Sequence, residues 1–338
     1  MLKALQAFFS LALCPLFGSP SASSDCSFET REMFKEGEYG GKSYKLYVPS
    51  TYDKEKASPL LVMLHGCTQC ATDFAIGTEM NMLAEEHNFL VLYPEQDAKS
   101  NPNKCWNWFE PLHQARGRGE PAAIAGMIEE IKEAYTIDNH KVFIAGMSAG
   151  GAMSIIMAAA YPEVFSGLGV GAGLEYKGAT SVFDALNVMN NGGPNPFEQG
   201  YLAYKEMGER ARVIPTIVFH GTSDTTVAPI NGEQVVSQWI VTNDLVERHN
   251  AGWICHGVNE TIKGKVRNGK EYTHDLYRNK RGESIVEKYT VLNMGHAWSG
   301  GNDNGSFTDS EGPHASKIMW DFFIRENRKN GYSNQKSS

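Results

Sequence analysis

Ser148 sits in Gly146-Met-Ser-Ala-Gly150, a G-x-S-x-G pattern. A serine hydroxyl is a weak nucleophile until a base takes its proton and a third group orients that base. The pattern means little alone. Here a β-rich run at 142–145 ends at the first glycine, and a helical run at 149–160 begins directly after the serine. That is a strand–turn–helix elbow. Such a turn strains the backbone at Ser148 and leaves no room for side chains at 146 and 150, a need that glycine meets. It lifts the hydroxyl to the start of a helix whose free N–H groups face a reacting carbonyl. The chemistry this permits is nucleophilic acyl transfer.

The base and the orienting acid should follow in chain order, serine, acid, histidine. Of the ten histidines, His296 lies in Asn293-Met-Gly-His-Ala-Trp-Ser-Gly-Gly301, a glycine-rich loop directly after a strand-like run at 285–292. A loop at a strand's carboxyl end is where a base can hang over the serine. Asp224 closes the turn His220-Gly-Thr-Ser-Asp224 after the buried run 214–219, whereas Asp184, Asp244 and Asp275 have no such placement. Two backbone donors are needed for the oxyanion. Ala149, next to the nucleophile, supplies one, and Cys67, in the loop after the run 60–64, is the candidate for the other. His65 in that loop is expected to pack and hydrogen-bond beneath it, since His296 already fills the role of base.

The elements that carry these residues alternate along the chain. Strand-like runs at 44–48, 60–64, 89–93, 142–145, 214–219 and 285–292 are separated by helix-like runs at 80–87, 122–135, 149–160, 232–242 and 315–325. The fold class is therefore α/β, a mostly parallel sheet covered on both faces. With 338 residues the chain is long enough for more than one domain, but the alternation runs without a linker to about 325, giving a single domain over 25–330 and a polar, flexible tail over 331–338. A formal charge of −8 argues against a nucleic-acid or anionic-membrane partner. The nearest basic patch, Lys263, Lys265, Arg267 and Lys270, reads as a solvated hairpin face.

Residues 1–24 read as a secretory leader, with Lys3, an apolar run over 4–17 and small residues over 18–24. The apolar run is broken by Pro15 and is short of the roughly 20 residues needed to span a bilayer. A secreted location, extracellular or periplasmic, follows. Five cysteines remain beyond the leader, Cys26, Cys67, Cys70, Cys105 and Cys255. In an oxidising compartment two bridges and one free thiol are expected, and spacing alone does not choose the pairs. Cys67-Thr-Gln-Cys70 has no second CxxC to complete a zinc site, and no HExxH occurs, so neither metal nor cofactor is expected.

These pieces resemble the polyhydroxybutyrate depolymerase family of secreted α/β-hydrolase esterases, related to feruloyl and acetylxylan esterases. The matching stretches include LHGCTQ (64–69), LYPEQ (92–96), CWNWF (105–109), RGRGEPAAIAGM (116–127), GMSAGGAM (146–153), HGTSDTTV (220–227), GHAWSGG around His296 and FTDSEGPHAS (307–316). The resemblance implies Ser148 as nucleophile, Asp224 as acid and His296 as base. It also implies a disulfide between Cys67 and Cys105, stapling the oxyanion loop to the loop of Trp106 and Trp108. The expected activity is hydrolysis of short-chain poly(3-hydroxyalkanoate) or its oligomers through an acyl-enzyme; the alternative is a feruloyl or acetylxylan esterase. Trp106, Trp108 and Trp298 are candidates for substrate contact, with core packing of a strand-capping loop as the competing expectation. The ester substrate is the one partner expected, for a monomer without a separate polymer-binding domain. Intact triad positions argue against a non-enzymatic binding protein on the same fold.

Overall fold

Uninterrupted aliphatic runs such as Leu-Leu-Val-Met-Leu at 60–64 suit strands buried on both faces. The computed structural model, which describes residues 34–248 and 257–334, bears this out. The strands are β1 (Lys35–Tyr39), β2 (Lys42–Tyr47), β3 (Ser58–Leu64), β4 (Leu90–Pro94), β5 (Ile137–Met147), β6 (Gly167–Gly171), β7 (Thr216–Gly221), β8 (Glu260–Lys265), β9 (Glu271–Arg278) and β10 (Ser284–Val291), with a small pair, β11 (Trp298–Ser299) and β12 (Thr308–Asp309). The first ten form one sheet in the order β1-β2-β4-β3-β5-β6-β7-β10-β9-β8. From β4 to β10 all pairings are parallel, and each edge is finished by antiparallel strands. Parallel neighbours need crossovers. Helices supply most of them: α1 (Ala71–Thr78), α2 (Met80–His87), α3 (Gly119–Ala134), α4 (Ala149–Ala160), α5 (Val182–Asn191), α6 (Pro196–Met207) and α7 (Ile230–Arg248), with α8 (Ala315–Asn334) closing the chain.

The two-residue period of the strands divides the core. Leu60, Val62 and Leu64 of β3 enter one apolar layer with Ile124, Met127 and Ile128 of α3 and Met153 of α4. Leu61 and Met63 enter the other, with Phe74 of α1 and Met319, Phe322 and Phe323 of α8. Adjacent residues of one strand thus feed opposite faces, and both faces are covered by helices.

The sequence pattern assigns no element between 161 and 213, where the structure places β6, α5 and α6. β6 reads Gly-Leu-Gly-Val-Gly, which carries little strand signal. Its glycines make room for α8. A Cβ on Gly167 would lie 2.6 Å from the Phe323 ring, and one on Gly169 2.7 Å from Met319 Sδ. The leader expected over 1–24, together with Cys26, Cys255 and residues 335–338, lies outside the described residues. Helix α8 itself continues to Asn334, beyond the 325 to which its apolar pattern extends.

Candidate active site

Ser148 stands between β5 and α4 with φ 56° and ψ −121°, a backbone that costs a non-glycine residue roughly 1–3 kcal/mol. Its N–H donates to the Gly171 carbonyl at 2.8 Å, which fixes the elbow to β6. The flanking glycines are required by space. A Cβ on Gly146 would lie 2.4 Å from the Gly150 carbonyl oxygen, and one on Gly150 2.0 Å from the Leu64 carbonyl oxygen.

Asp224 lies in the turn after β7 and His296 in the loop after β10, on neighbouring parallel strands. The two loops are tied together. The Ser223 N–H donates to the Met294 carbonyl at 2.9 Å, and the Asn293 N–H donates to Thr222 Oγ1 at 2.9 Å. Asp224 Oδ1 accepts the N–H groups of Thr226 at 2.9 Å and Val227 at 2.8 Å. Asp224 Oδ2 lies 2.7 Å from His296 Nδ1. A carboxylate only accepts, so Nδ1 carries the proton and Nε2 the lone pair. Burial alone would push the Asp224 carboxyl up, but the N–H groups of His220 and His296 that face it hold it well below the usual carboxylate range.

Ser148 and His296 line one small, solvent-open pocket with Gly66, Cys67, Gln69, Met147 and Phe307. Ala149 is the first residue of α4, so its N–H has no acceptor within the helix. Cys67 follows β3 and is disulfide-bonded to Cys105, the pairing that the family resemblance implies. Cys70 is also disulfide-bonded. The Cys67 loop is held from within by Gln69, whose Oε1 accepts the Gly66 N–H at 2.8 Å. Gln69 Nε2 donates to Asp73 Oδ2 at 3.2 Å and to the Ser306 carbonyl at 3.0 Å. Asp73 in turn accepts the Ser306 N–H at 2.9 Å. The loop after β3 and the segment that bears Phe307 are therefore one hydrogen-bonded unit.

His65 lies beneath that unit. Its Nδ1–H donates to the Gly66 carbonyl at 2.8 Å, and its Nε2 accepts the Gln96 N–H at 3.0 Å. Full burial lowers its pKa to about 4. The three tryptophans depart from the expectation of substrate contact. Trp106 is fully buried, and its indole N–H donates to the His65 carbonyl at 3.1 Å. Trp108 belongs to the α3-side apolar layer. Trp298 packs edge-on against Phe74 at 5.5 Å and donates to Ser316 Oγ at 3.0 Å. None of the three lines the pocket beside Ser148. Their rings fill the core under the loops, the packing alternative weighed for them. The aromatic residue at the pocket is Phe307, whose ring centroid lies 6.3 Å from that of His296. Phe307 has φ 52° and sits in a loop without hydrophobic periodicity, so no local signal marks it.

Among the described residues no group of three or more His, Cys, Asp or Glu side chains is placed to hold a metal, and no helix is long and apolar enough to cross a membrane.

Residues 42–261 match a family model described as Esterase PHB depolymerase. The chain is 38% identical over 241 residues to poly(3-hydroxyalkanoate) depolymerase C of Paucimonas lemoignei, covering 71% of this chain and 55% of that protein. It is 30% identical over 258 residues to a probable acetylxylan esterase A of Neosartorya fischeri, covering 70% of this chain and 67% of that protein. The chain thus spans little more than half the length of the depolymerase. Its fold matches the solved acetyl xylan esterase from Aspergillus awamori with a TM-score of 0.63 at 21% identity, covering 78% of this chain and 93% of that one. At that identity the likeness concerns the fold, an α/β-hydrolase.

Proposed function

This chain belongs to the esterase PHB depolymerase family, and from that premise we propose that it is a serine esterase acting on short-chain 3-hydroxyalkanoate polyester or its oligomers. The observation that carries the reading is the meeting of Ser148 and His296 at one pocket, with His296 Nδ1 bonded to Asp224 at 2.7 Å. In the proposed mechanism Ser148 Oγ attacks the ester carbonyl carbon while its proton passes to His296 Nε2. Asp224 orients the ring and stabilises the imidazolium. The N–H groups of Cys67 and Ala149 receive the developing oxyanion. The carbon–oxygen bond to the alcohol then breaks, and His296 returns the proton to the leaving oxygen. Water, activated by the same histidine, attacks the acyl-enzyme and frees the acid and Ser148.

A short acyl group suits the small pocket beside Ser148, where Phe307 stands against His296. Acetylxylan esterase is accordingly the second reading, and the relatives of that name favour it over feruloyl esterase. We also place the protein outside the cytosol, in keeping with the Cys67–Cys105 disulfide and the leader pattern over 1–24.

Ser148→Ala tests the reading. Hydrolysis of p-nitrophenyl butyrate should fall by roughly 10³-fold or more with the circular-dichroism spectrum intact. Activity near that of the wild type would overturn the nucleophile. Clearing of polyhydroxybutyrate agar against acetate release from acetylated xylan separates the two substrates.

A further inference from the structure

Asp224 is contacted by a second histidine that the acyl-transfer steps do not use. His220, on β7, is 1% exposed. Its Nε2 lies 2.8 Å from the Val227 carbonyl oxygen. A carbonyl accepts only, so Nε2 carries the proton and Nδ1 the lone pair. The same Nε2 lies 3.4 Å from Asp224 Oδ2, the oxygen that faces His296. This is a longer, electrostatic contact from the edge of a bond made mainly to Val227. His220 Nδ1 is buried with no hydrogen-bond partner. The far side of the ring is closed by α7, where a Cβ on Gly232 would lie 2.6 Å from Nδ1. The ring is therefore wedged between the first turn of α7 and the turn that carries the acid.

An apolar side chain would fill that wedge without leaving a nitrogen unsatisfied. What the imidazole adds is the Nε2–H, and both groups it meets belong to the Asp224 turn. The turn curls back on itself, because Asp224 Oδ1 accepts the N–H of Val227 while the Val227 carbonyl accepts from His220. His220 thus joins the strand to the turn at two points, one of them the carboxylate itself. The titratable groups that face Asp224 are His220 from β7 and His296 from the loop after β10.

We propose that His220 is a positioning residue for the acid: its Nε2–H pins the Asp224 turn so that Oδ2 points at His296 Nδ1. The inference rests on the assignment of Asp224 and His296 above. It predicts a dependence on one atom. A glutamine at 220 can put its amide N–H where Nε2 lies, whereas the shorter asparagine reaches only the Nδ1 position.

The experiment compares His220→Gln, His220→Asn and His220→Leu in the full chain, with p-nitrophenyl butyrate as substrate. Leu and Asn should each lower kcat by roughly ten- to a hundredfold with KM within about twofold, because the imidazolium develops only in the transition state. Gln should recover most of the loss. The low-field proton resonance of the His296–Asp224 hydrogen bond, read by NMR without substrate, should persist in the wild type and in Gln and broaden in Leu and Asn. Equal kcat in all variants, or losses in Gln as large as in Leu, would overturn the inference. A wild type that shows the resonance but hydrolyses no ester would instead count against the esterase reading and leave the positioning role standing.

Discussion

Phe307 sets a limit at the scale of one residue. Its ring closes the pocket beside His296, and the pocket is small. Phe307→Ala removes that wall, and because alanine also carries a Cβ the left-handed backbone is no more strained than before. Across p-nitrophenyl esters from acetate to octanoate, the ratio of kcat/KM for octanoate to that for butyrate should rise roughly tenfold, the scale on which an apolar pocket discriminates chain length. An unchanged chain-length profile would show that another group bounds the acyl site. Ser148, Asp224 and His296 were legible because each follows a strand and the elbow has its own glycine code. Phe307 was not, since its place depends on Asp73 and Gln69 drawing the Ser306 segment toward the loop after β3, across more than two hundred residues of chain. The tryptophans misled for a related reason. Residue type alone does not say whether an indole N–H will find a buried acceptor, and those of Trp106 and Trp298 do.

At the scale of the element, β6 shows why a glycine-rich strand escapes a reading based on pattern. Its glycines do not fill space; they admit the aromatic face of α8, where Phe323 stacks on Phe143 at 4.9 Å. A methyl group should therefore cost stability in proportion to the closeness of its neighbours. A Cβ on Gly169 would meet Met319 Sδ at 2.7 Å and Ala145 Cβ at 2.9 Å, whereas one on Gly171 meets the Trp298 ring at 3.3 Å. Gly169→Ala should lose about 1–3 kcal/mol of unfolding free energy in urea, as overpacking does. Gly171→Ala should lose less. An equal or reversed order would mean that α8 moves away from the sheet at little cost. The strands that do carry a signal, β2, β3, β4, β5, β7 and β10, are the ones with uninterrupted aliphatic or alternating runs, and they include those that end at the site.

At the scale of the whole molecule, the parallel strands bring their carboxyl ends to one side, so the serine, acid and histidine meet from β5, β7 and β10, far apart in the chain. The loop after β6 departs from that same region and holds a buried group that takes no part in the proposed reaction. Glu175 is 2% exposed, and neither carboxylate oxygen has a hydrogen-bond partner. The loop is fixed around it: the Tyr176 N–H donates to Gln238 Oε1 of α7 at 3.0 Å, and the Tyr176 hydroxyl donates to the Gln114 carbonyl at 2.7 Å. Burial pushes the Glu175 carboxyl up to about 8, against an ordinary value of 4.5. The folded state then keeps a proton that the unfolded chain releases. The stability linked to Glu175 is fully present below about pH 4.5 and is lost as pH rises through about 8. His65 has the opposite sign. Its folded pKa of about 4 lies below the ordinary 6.5, so its contribution is present above pH 6.5 and lost as pH falls toward 4. Between pH 6.5 and 8 only the Glu175 change of this pair is still under way. Glu175→Gln keeps the shape and removes the ionisation. Its Tm should exceed that of the wild type by a margin that grows from pH 6.5 to 8 and is level above pH 9, at no more than about 2–4 °C for each kcal/mol relieved, the figure for smaller domains. Thermal melts of the two proteins at matched ionic strength read that margin directly. A margin that stays constant across the range would mean that the carboxyl gains a partner or reaches water as it ionises.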